Sequence, residues 1–250
     1  MTQPGSLAWF AHHELRLFWR DWVSMMTAGK RRREPLLVFV LAIFLLVIHA
    51  VAYLVLAPAV PQGIGEDKLT LVTVTGAALL AFTMMLSQAM EAATRAFYTR
   101  GDLDLILSSP APVRRLFMVR MVATGVSTTV LTGSLASPFI NVMIYLQGAQ
   151  WLSAYGLILA LGAAAAALAL LVTVALFRSL GPARTRLVAQ ILTAAVGAVF
   201  VIGVQLAAIV STGSISRLTF IRSEHVVALG PAAESAWWFL ARAAMGNLSI

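Results

Sequence analysis

Five runs of about twenty apolar residues constrain this chain more than any other feature. They cover residues 36–57, 69–90, 121–146, 152–177 and 188–211. A helix needs about 20 residues to cross about 30 Å of hydrocarbon, because it rises 1.5 Å per residue. The runs are continuous and lack the period-2 alternation of membrane β-strands. The sequence therefore predicts an all-α, polytopic integral membrane helix bundle with about five transmembrane helices.

Composition excludes a water-soluble domain. Hydrophobic residues make up 60% of the chain and charged residues 11%, whereas soluble domains average about 25% charged residues. The absence of cysteine excludes disulfides, thiolate metal sites and thiol catalysis. The first run is longer than the apolar region of a signal peptide, and more than thirty residues precede it. It is therefore predicted to be a retained span.

The basic residues indicate how the chain is oriented. Of the 18 Lys and Arg residues, 14 fall on one side of the predicted membrane, in segments 1–34, 91–120 and 178–187. Basic connections stay on the cytoplasmic side of membranes. The N-terminus is therefore predicted to be cytoplasmic, with segment 212–250 outside. The positive-inside distribution accounts for the net charge of +8, so nucleic acid is not an expected partner.

Two segments flank the predicted transmembrane domain at 35–211. In the cytoplasmic segment 1–34, aromatic and basic residues recur on opposite sides of a helix over residues 6–27, which predicts an amphipathic interfacial helix. An alternative is packing against a soluble subunit. Segment 212–250 contains Trp237, Trp238 and Arg242, a mixture suited to lipid headgroups. We expect one or two short helices there, at the outer interface.

Ionisable side chains are scarce inside the predicted spans. All ten Asp and Glu residues lie outside the span cores, whereas ion-driven carriers usually keep ionisable groups within the bilayer. His49 is the one ionisable residue inside a span, and we expect it to be packed or hydrogen-bonded. His12 and His13 diverge by about 100° on a helix and cannot readily chelate together. We predict no catalytic residue, no metal site and no cofactor.

The third run contains a stripe of small residues. These residues recur every four positions, at Gly125, Thr129, Gly133 and Ser137. Such a stripe lets another helix approach closely, within the chain or at a subunit interface. Gly162 and Ala166 suggest a second close contact in the fourth run. Pro138 is expected to kink the third helix, with Asn141 available to satisfy the freed backbone groups.

The connection at 91–120 is the richest segment of the sequence. The second helix is predicted to continue into the cytoplasm and to stop at Arg100. Asp102 can cap a short helix that Ser109-Pro110 ends, and Pro112 suits the first turn of the next long helix. A short helix held between two long ones suits docking to a soluble partner. The alternative is an ordinary solvated loop.

Residues 97–120, FYTRGDLDLILSSPAPVRRLFMVR, resemble the cytoplasmic loop of permeases of type-2 ABC exporters. In that family an aromatic and basic stretch precedes an Asp-Leu-Asp-Leu-Leu-like helix, a Ser-Pro and a basic restart. The amphipathic N-terminal helix and the interfacial segment after the fifth span are similar in layout. The family has six spans per half. The resemblance therefore implies that this chain is a fragment of a longer permease.

The resemblance implies a permease subunit without its own ATPase, in the bacterial inner membrane. It would pair with a cytoplasmic ABC ATPase subunit and act as a homodimer or with a second permease half. By the same likeness, the residues that couple to the ATPase would be Arg95, Arg100, Asp102, Asp104, Ser109, Pro110, Arg114 and Arg115. ATP-driven closure of the partner would push on this loop and tilt the second and third spans.

Two other functions remain open on the sequence. One is a secondary carrier of uncharged or lipid-like solutes, whose transport would depend on an ion gradient rather than on ATP. The other is a non-transporting membrane scaffold that recruits a cytoplasmic complex through the same connection. No cluster of residues in the spans identifies a substrate.

Overall fold

The computed structural model describes residues 12, 16, 20, 23–24, 27, 34–58, 66–98, 113–212 and 224–247. Helix dominates these residues, and none of them forms a strand. The long helices are α1 (Glu34–Leu56), α2 (Lys68–Tyr98), α3 (Val113–Gln147) and α4 (Ser153–Thr212). The short helices are α5 (Glu224–Leu229) and α6 (Phe239–Ala244), and short 3-10 turns cover Ala149–Leu152 and Ala236–Trp238. The all-helical prediction is confirmed.

Four stretches of the described chain are long and apolar enough to cross a membrane. They are Pro35–Leu56, Lys68–Thr94, Gly125–Gln147 and Ala149–Leu180. This is the pattern of a multi-pass membrane protein. The fifth predicted span, 188–211, forms no separate helix, because it lies within the distal part of α4.

The predicted connection at 178–187 is helical at every residue. Helix α4 is recorded without interruption through Gly181 and Pro182. Gly-Pro indicates a helix end in water. Membrane helices tolerate these residues, because neighbouring groups and local adjustments can satisfy the freed backbone.

Helix α4 nevertheless turns back on itself. The Ser87 hydroxyl of α2 donates to the Thr193 carbonyl oxygen at 3.2 Å. In a straight helix, Thr193 would lie about 60 Å from Trp151 at 1.5 Å per residue. Ser87 lies only about 24 Å along α2 from Leu71, and Leu71 shares a buried cluster with Trp151. The chain direction therefore reverses between the two ends of α4.

Two buried clusters hold the helices together. The central cluster joins α2, α3 and α4 with one residue of α6, and consists of Met85, Leu86, Ala89, Met90, Ile140, Ala154, Ile158, Ala165, Ala169 and Ala244. The second cluster lies where α2 begins and α3 ends, and consists of Leu71, Met143, Trp151, Trp238, Ala241 and Met245. The C-terminal segment therefore packs onto the start of α2 and the end of α3.

Local signals account for the ends of two helices. Asp67 precedes α2, and its carboxylate accepts the Thr70 N–H at 3.2 Å, as an N-cap does. Helix α3 ends before Gly148, whose φ of +104° is costly for residues with a β-carbon. This glycine permits the tight connection into the 3-10 turn and α4.

The N-terminal segment is described at six positions. All six are helical, and Arg16 and His12 are hydrogen-bonded at 2.9 Å. The Thr27 side chain is buried, and its hydroxyl donates to the Val23 carbonyl. That intrahelical bond satisfies the hydroxyl without water. The other residues of the predicted amphipathic helix lie outside the described residues.

Candidate functional site

The predicted coupling segment lies largely outside the described residues. This holds for Arg100, Asp102, Asp104, Ser109 and Pro110. The backbones of Arg95, Arg114 and Arg115 are helical, and their side chains lie outside the described part of the chain.

The helices that flank residues 99–112 are nevertheless informative. Helix α2 ends at Tyr98, eight residues beyond the second apolar run, and α3 begins at Val113, eight residues before the third. Each extension corresponds to about 12 Å of helix. Arg95, Arg114 and Arg115 lie in these extensions. Both helices therefore continue past the apolar runs of the sequence, and both extensions carry basic residues.

The stripe of small residues on α3 lies against α4. A β-carbon on Gly125 would lie 3.2 Å from Cβ of Ala166, and one on Gly133 would lie 3.6 Å from Ile158 Cγ2. Between them, a β-carbon on Gly162 would overlap the side chain of Thr129. The contact therefore runs antiparallel along both helices and lies within the chain. Close approach of this kind is the use that membrane helices make of small residues.

Ser137, the fourth residue of that stripe, compensates for Pro138. Proline has no N–H, so the carbonyl four residues earlier, on Ser134, loses its helical partner. The Ser137 hydroxyl donates to this carbonyl at 2.9 Å. The sequence analysis expected Asn141 to satisfy the freed backbone, but the nearer Ser137 does so. The Asn141 side chain has other partners.

Asn141 is the centre of a polar relay between three helices. The Tyr155 hydroxyl donates to Asn141 Oδ1 at 2.7 Å, and Asn141 Nδ2 lies 3.2 Å from His49 Nε2. His49 Nδ1 lies 2.8 Å from the Leu45 carbonyl oxygen. A neutral imidazole with its proton on Nδ1 satisfies each group in one direction, from Tyr155 to Leu45. The expectation of a hydrogen-bonded His49 is met.

The relay joins three helices whose side chains are exposed to different degrees. His49 lies on α1, Asn141 on α3 and Tyr155 on α4. Helix α1 packs against α3, with Ala52 fully buried one turn from His49. Most of its other side chains are exposed. The relay is therefore a main polar attachment of α1 to the bundle.

A groove of about 550 Å³ runs along the half of the bundle that holds the start of α2. Its lining residues come from α1, α2, α3, the 3-10 turn, α4 and α6, and are Val55, Leu56, Asp67, Leu69, Thr70, Thr73, Val74, Ala77, Ala78, Ala81, Ala136, Phe139, Ile140, Met143, Trp151, Ala154, Leu157, Ile158, Leu161 and Ala244. The polar groups are near the start of α2, and the remaining walls are apolar. Exposed Val55, Ala77 and Phe139 mark its open side.

The sequence analysis missed this groove. One signal was available: α2 carries Ala77, Ala78 and Ala81 where larger apolar residues would fill the space. That spacing places them on one side of a helix. What could not be inferred is that α3 and α4 leave the same space open.

Polar contacts fasten the C-terminal segment beside the groove. Arg242 Nε lies 3.7 Å from Glu66 Oε2, and a second guanidinium nitrogen donates to the Ala233 carbonyl at 2.7 Å. Asn247 Nδ2 donates to the Glu66 carboxylate. The Lys68 ammonium donates to the Ala228 carbonyl at 3.2 Å. These bonds hold the α5–α6 region against the start of α2.

No group of three His, Asp or Glu side chains that could hold a metal ion occurs in the described part of the chain. The arrangement offers instead an apolar groove, a polar relay between helices, and two helix extensions that carry basic residues. Neither a protein-family model, nor a curated protein, nor a solved structure matches the chain.

Proposed function

We propose that the chain is the membrane-spanning permease subunit of an ATP-driven ABC exporter. The observation that carries the proposal is the pair of helix ends that flank residues 99–112. Helices α2 and α3 continue about 12 Å past their apolar runs and carry basic residues there. A connection mounted on two rigid helices transmits a push into the membrane better than a free loop does.

The proposal places the N-terminus in the cytoplasm of a bacterial cell and the chain in the inner membrane. The excess of Lys and Arg on that side supports this orientation. The reversal of α4 would supply a fourth and a fifth crossing. The permease would act as a homodimer or with a second permease half, and the 99–112 connection would dock on a cytoplasmic ABC ATPase subunit.

The mechanism follows from which helices the connection joins. Helix α2 packs extensively against α4, and both contribute to the central cluster. A displacement at residues 99–112 would therefore tilt α2 and α3 against α4. The described spans hold no charged residue near their centres. We infer that the energy for transport comes from the ATPase rather than from a coupling ion bound inside the bilayer.

The proposal is tested by recovering the partner. The protein, tagged at its N-terminus, is purified in a mild detergent from membranes of its native cell, and ATPase activity and nucleotide labelling of co-purifying subunits are measured. The test variant combines Arg100→Ala, Asp102→Ala and Asp104→Ala. We expect the wild-type protein to recover an ATP-hydrolysing subunit and the variant to lose it.

The matched control removes charge on the opposite side of the membrane. It combines Glu224→Ala and Glu234→Ala, two exposed residues of the C-terminal segment, and should retain the ATPase. If the folded wild-type protein recovers no ATP-hydrolysing subunit, the exporter proposal is wrong. Equal recovery with both variants would remove the coupling role from residues 100–104.

A carrier of lipid-like solutes is the second candidate, and the open apolar groove favours it. Transport assays separate the two functions. Transport by the exporter would stop when ATP is depleted. Transport by a secondary carrier would continue without ATP and would collapse when the ion gradient is dissipated.

A further inference from the structure

The outer groove has the dimensions of a lipid-chain site. Along α2 its lining extends from Asp67 to Ala81, which corresponds to about 21 Å of helix at 1.5 Å per residue. One leaflet contributes about 15 Å of hydrocarbon, half of the usual 30 Å core. The groove therefore extends from the headgroup level to near the bilayer centre. Its volume of about 550 Å³ lies within the range of small-molecule sites.

The polar lining residues lie at one end of the groove, and the apolar ones lie deeper. Asp67 and Thr70 line the outer end. Deeper positions are apolar, among them Ala77, Ala81 and Leu161. An amphiphile inserted from the outer leaflet would find the same order, with its head at the polar end and its chain between the helices. The exposed side of Ala77 gives a chain lateral entry.

The charge at the mouth selects the head group. Among the described lining residues, Asp67 is the one charged side chain. Glu66 pairs with Arg242, and Lys68, whose ammonium donates to the Ala228 carbonyl, keeps its positive charge but does not line the groove. Asp67 accepts the Thr70 N–H, and its carboxylate is solvent-exposed. A cationic head group complements this carboxylate, whereas an anionic one finds no opposite charge among the described lining residues.

We propose that the outer groove binds one long-chain amphiphile with a cationic head group, its chain between α2, α3 and α4 and its head beside Asp67. The site stands on the groove itself and does not depend on an ATPase partner. Failure of the exporter proposal would therefore leave it intact, and the reverse also holds.

Tryptophan quenching tests the site directly. Trp151 lines the groove, so a chain brominated near its middle should quench its fluorescence on binding. Mid-chain-brominated hexadecyltrimethylammonium and mid-chain-brominated palmitate are titrated into the full chain in nanodiscs of unbrominated lipid. The Trp151 signal is the difference between the wild-type protein and the Trp151→Phe variant. We expect saturable quenching by the cationic probe and at least about twofold weaker binding of the anionic probe.

Two variants and one control test separately how the shape and the charge of the site contribute to binding. Ala77→Phe places a ring at the open side of the groove, where a chain would enter, and should abolish saturable quenching. Ala163→Phe adds the same ring at an exposed position of α4 outside the groove and should not. Asp67→Asn keeps the capping ability of the side chain but removes its charge. It should weaken cationic binding about two- to fivefold, the effect of a partly exposed ion pair.

The outcomes that overturn the proposal are distinct. Quenching that rises without saturation, or that is equal in the Ala77→Phe and Ala163→Phe variants, would exclude the groove as the binding site. Equal affinity for the two probes, unchanged by Asp67→Asn, would exclude the cationic specificity. Circular dichroism of each variant verifies that the helices are intact.

Discussion

Helices α1 and α3 are held in the bundle in different ways. Helix α3 meets α4 through the stripe at Gly125, Thr129 and Gly133, where the two backbones approach closely. Helix α1 is far more exposed: only 6% of its apolar window is buried, against 33% for the window of α3. Its attachment includes the relay from His49 through Asn141 to Tyr155.

The difference shows what each attachment depends on. Lipid tails are as apolar as the side chains, so apolar burial alone does not drive membrane helices together. Dense packing then requires small residues in register, and it is disrupted when one of them is replaced by a larger residue. A hydrogen-bonded attachment requires few residues, and it fails when one donor or acceptor is lost. Damage to α3 packing should therefore be global, whereas damage to the relay should be local to α1.

The largest effect is expected from Gly162→Ala. The added methyl group would overlap Thr129, whose Cβ lies 3.0 Å from the new atom. Overpacking of this kind costs about 1–3 kcal/mol. The free energy of unfolding, measured by reversible denaturation in mixed micelles, should fall by about that amount. The double variant with Thr129→Ala should recover part of it.

Gly156→Ala is the matched control for Gly162→Ala. It lies on the same helix, and nothing lies within 4 Å of an added β-carbon there. Alanine is a better helix former than glycine, by about 0.5–1 kcal/mol. The control should therefore be neutral or slightly stabilising. If the two variants behave alike, the close approach of α3 and α4 is not a source of stability.

A smaller loss is expected from Asn141→Leu. The substitution leaves the Tyr155 hydroxyl and His49 Nε2 without their partner. Hydrogen bonds between membrane helices contribute about 0.6–2 kcal/mol. Hydrogen exchange should become faster in α1 and stay unchanged in the α2–α4 core. Uniformly faster exchange throughout the bundle would contradict the local role of the relay.

Tyr155→Phe should have a weaker effect of about 0.6 kcal/mol, because it removes one bond of the relay and keeps the ring. Tyr145→Phe is the control, since Tyr145 is 80% exposed on α3. Unfolding free energies of the two variants are compared under the same conditions. If both variants lose the same unfolding free energy, the hydrogen bond from Tyr155 to Asn141 does not contribute to stability.

The smallest effect is expected from Ala50→Leu. Ala50 is exposed on α1, so a larger apolar side chain displaces only lipid. The change in unfolding free energy should stay within about 0.5 kcal/mol, as for other substitutions away from packed features. A loss of more than about 1 kcal/mol would mean that this face of α1 is covered in the assembled protein.

The sequence predicted local features well. The first apolar run, 36–57, matches α1 at Glu34–Leu56 within two residues, because length and hydropathy define a span without reference to its neighbours. The second run, 69–90, begins within one residue of α2, and the helix continues to Tyr98. The connection predicted at Gly181-Pro182 is helical, because membrane helices tolerate Gly and Pro residues that would end a helix in water, although the chain direction reverses within α4.

Features that depend on two helices were less accessible. His49, Asn141 and Tyr155 are single polar residues in separate runs, and no spacing rule connects residues so far apart along the chain. Likewise, Asn141 was expected to satisfy the backbone freed by Pro138, but the Ser137 hydroxyl donates to the orphaned Ser134 carbonyl. The groove is a space that the side chains of three helices together leave unfilled. Periodicity finds a face of one helix, not the space between several.

The unbroken length of α2 has a mechanical consequence. Its 31 residues form one rod of about 46 Å, with Asp67 and the groove at one end and the 99–112 connection at the other. The Ser87 contact with Thr193 lies between them and can act as a fulcrum. A rotation of about 5° about that point moves the Asp67 end by nearly 3 Å, given about 30 Å of helix on that side. Leverage of that size would widen or pinch the mouth of the groove without unfolding any turn of helix.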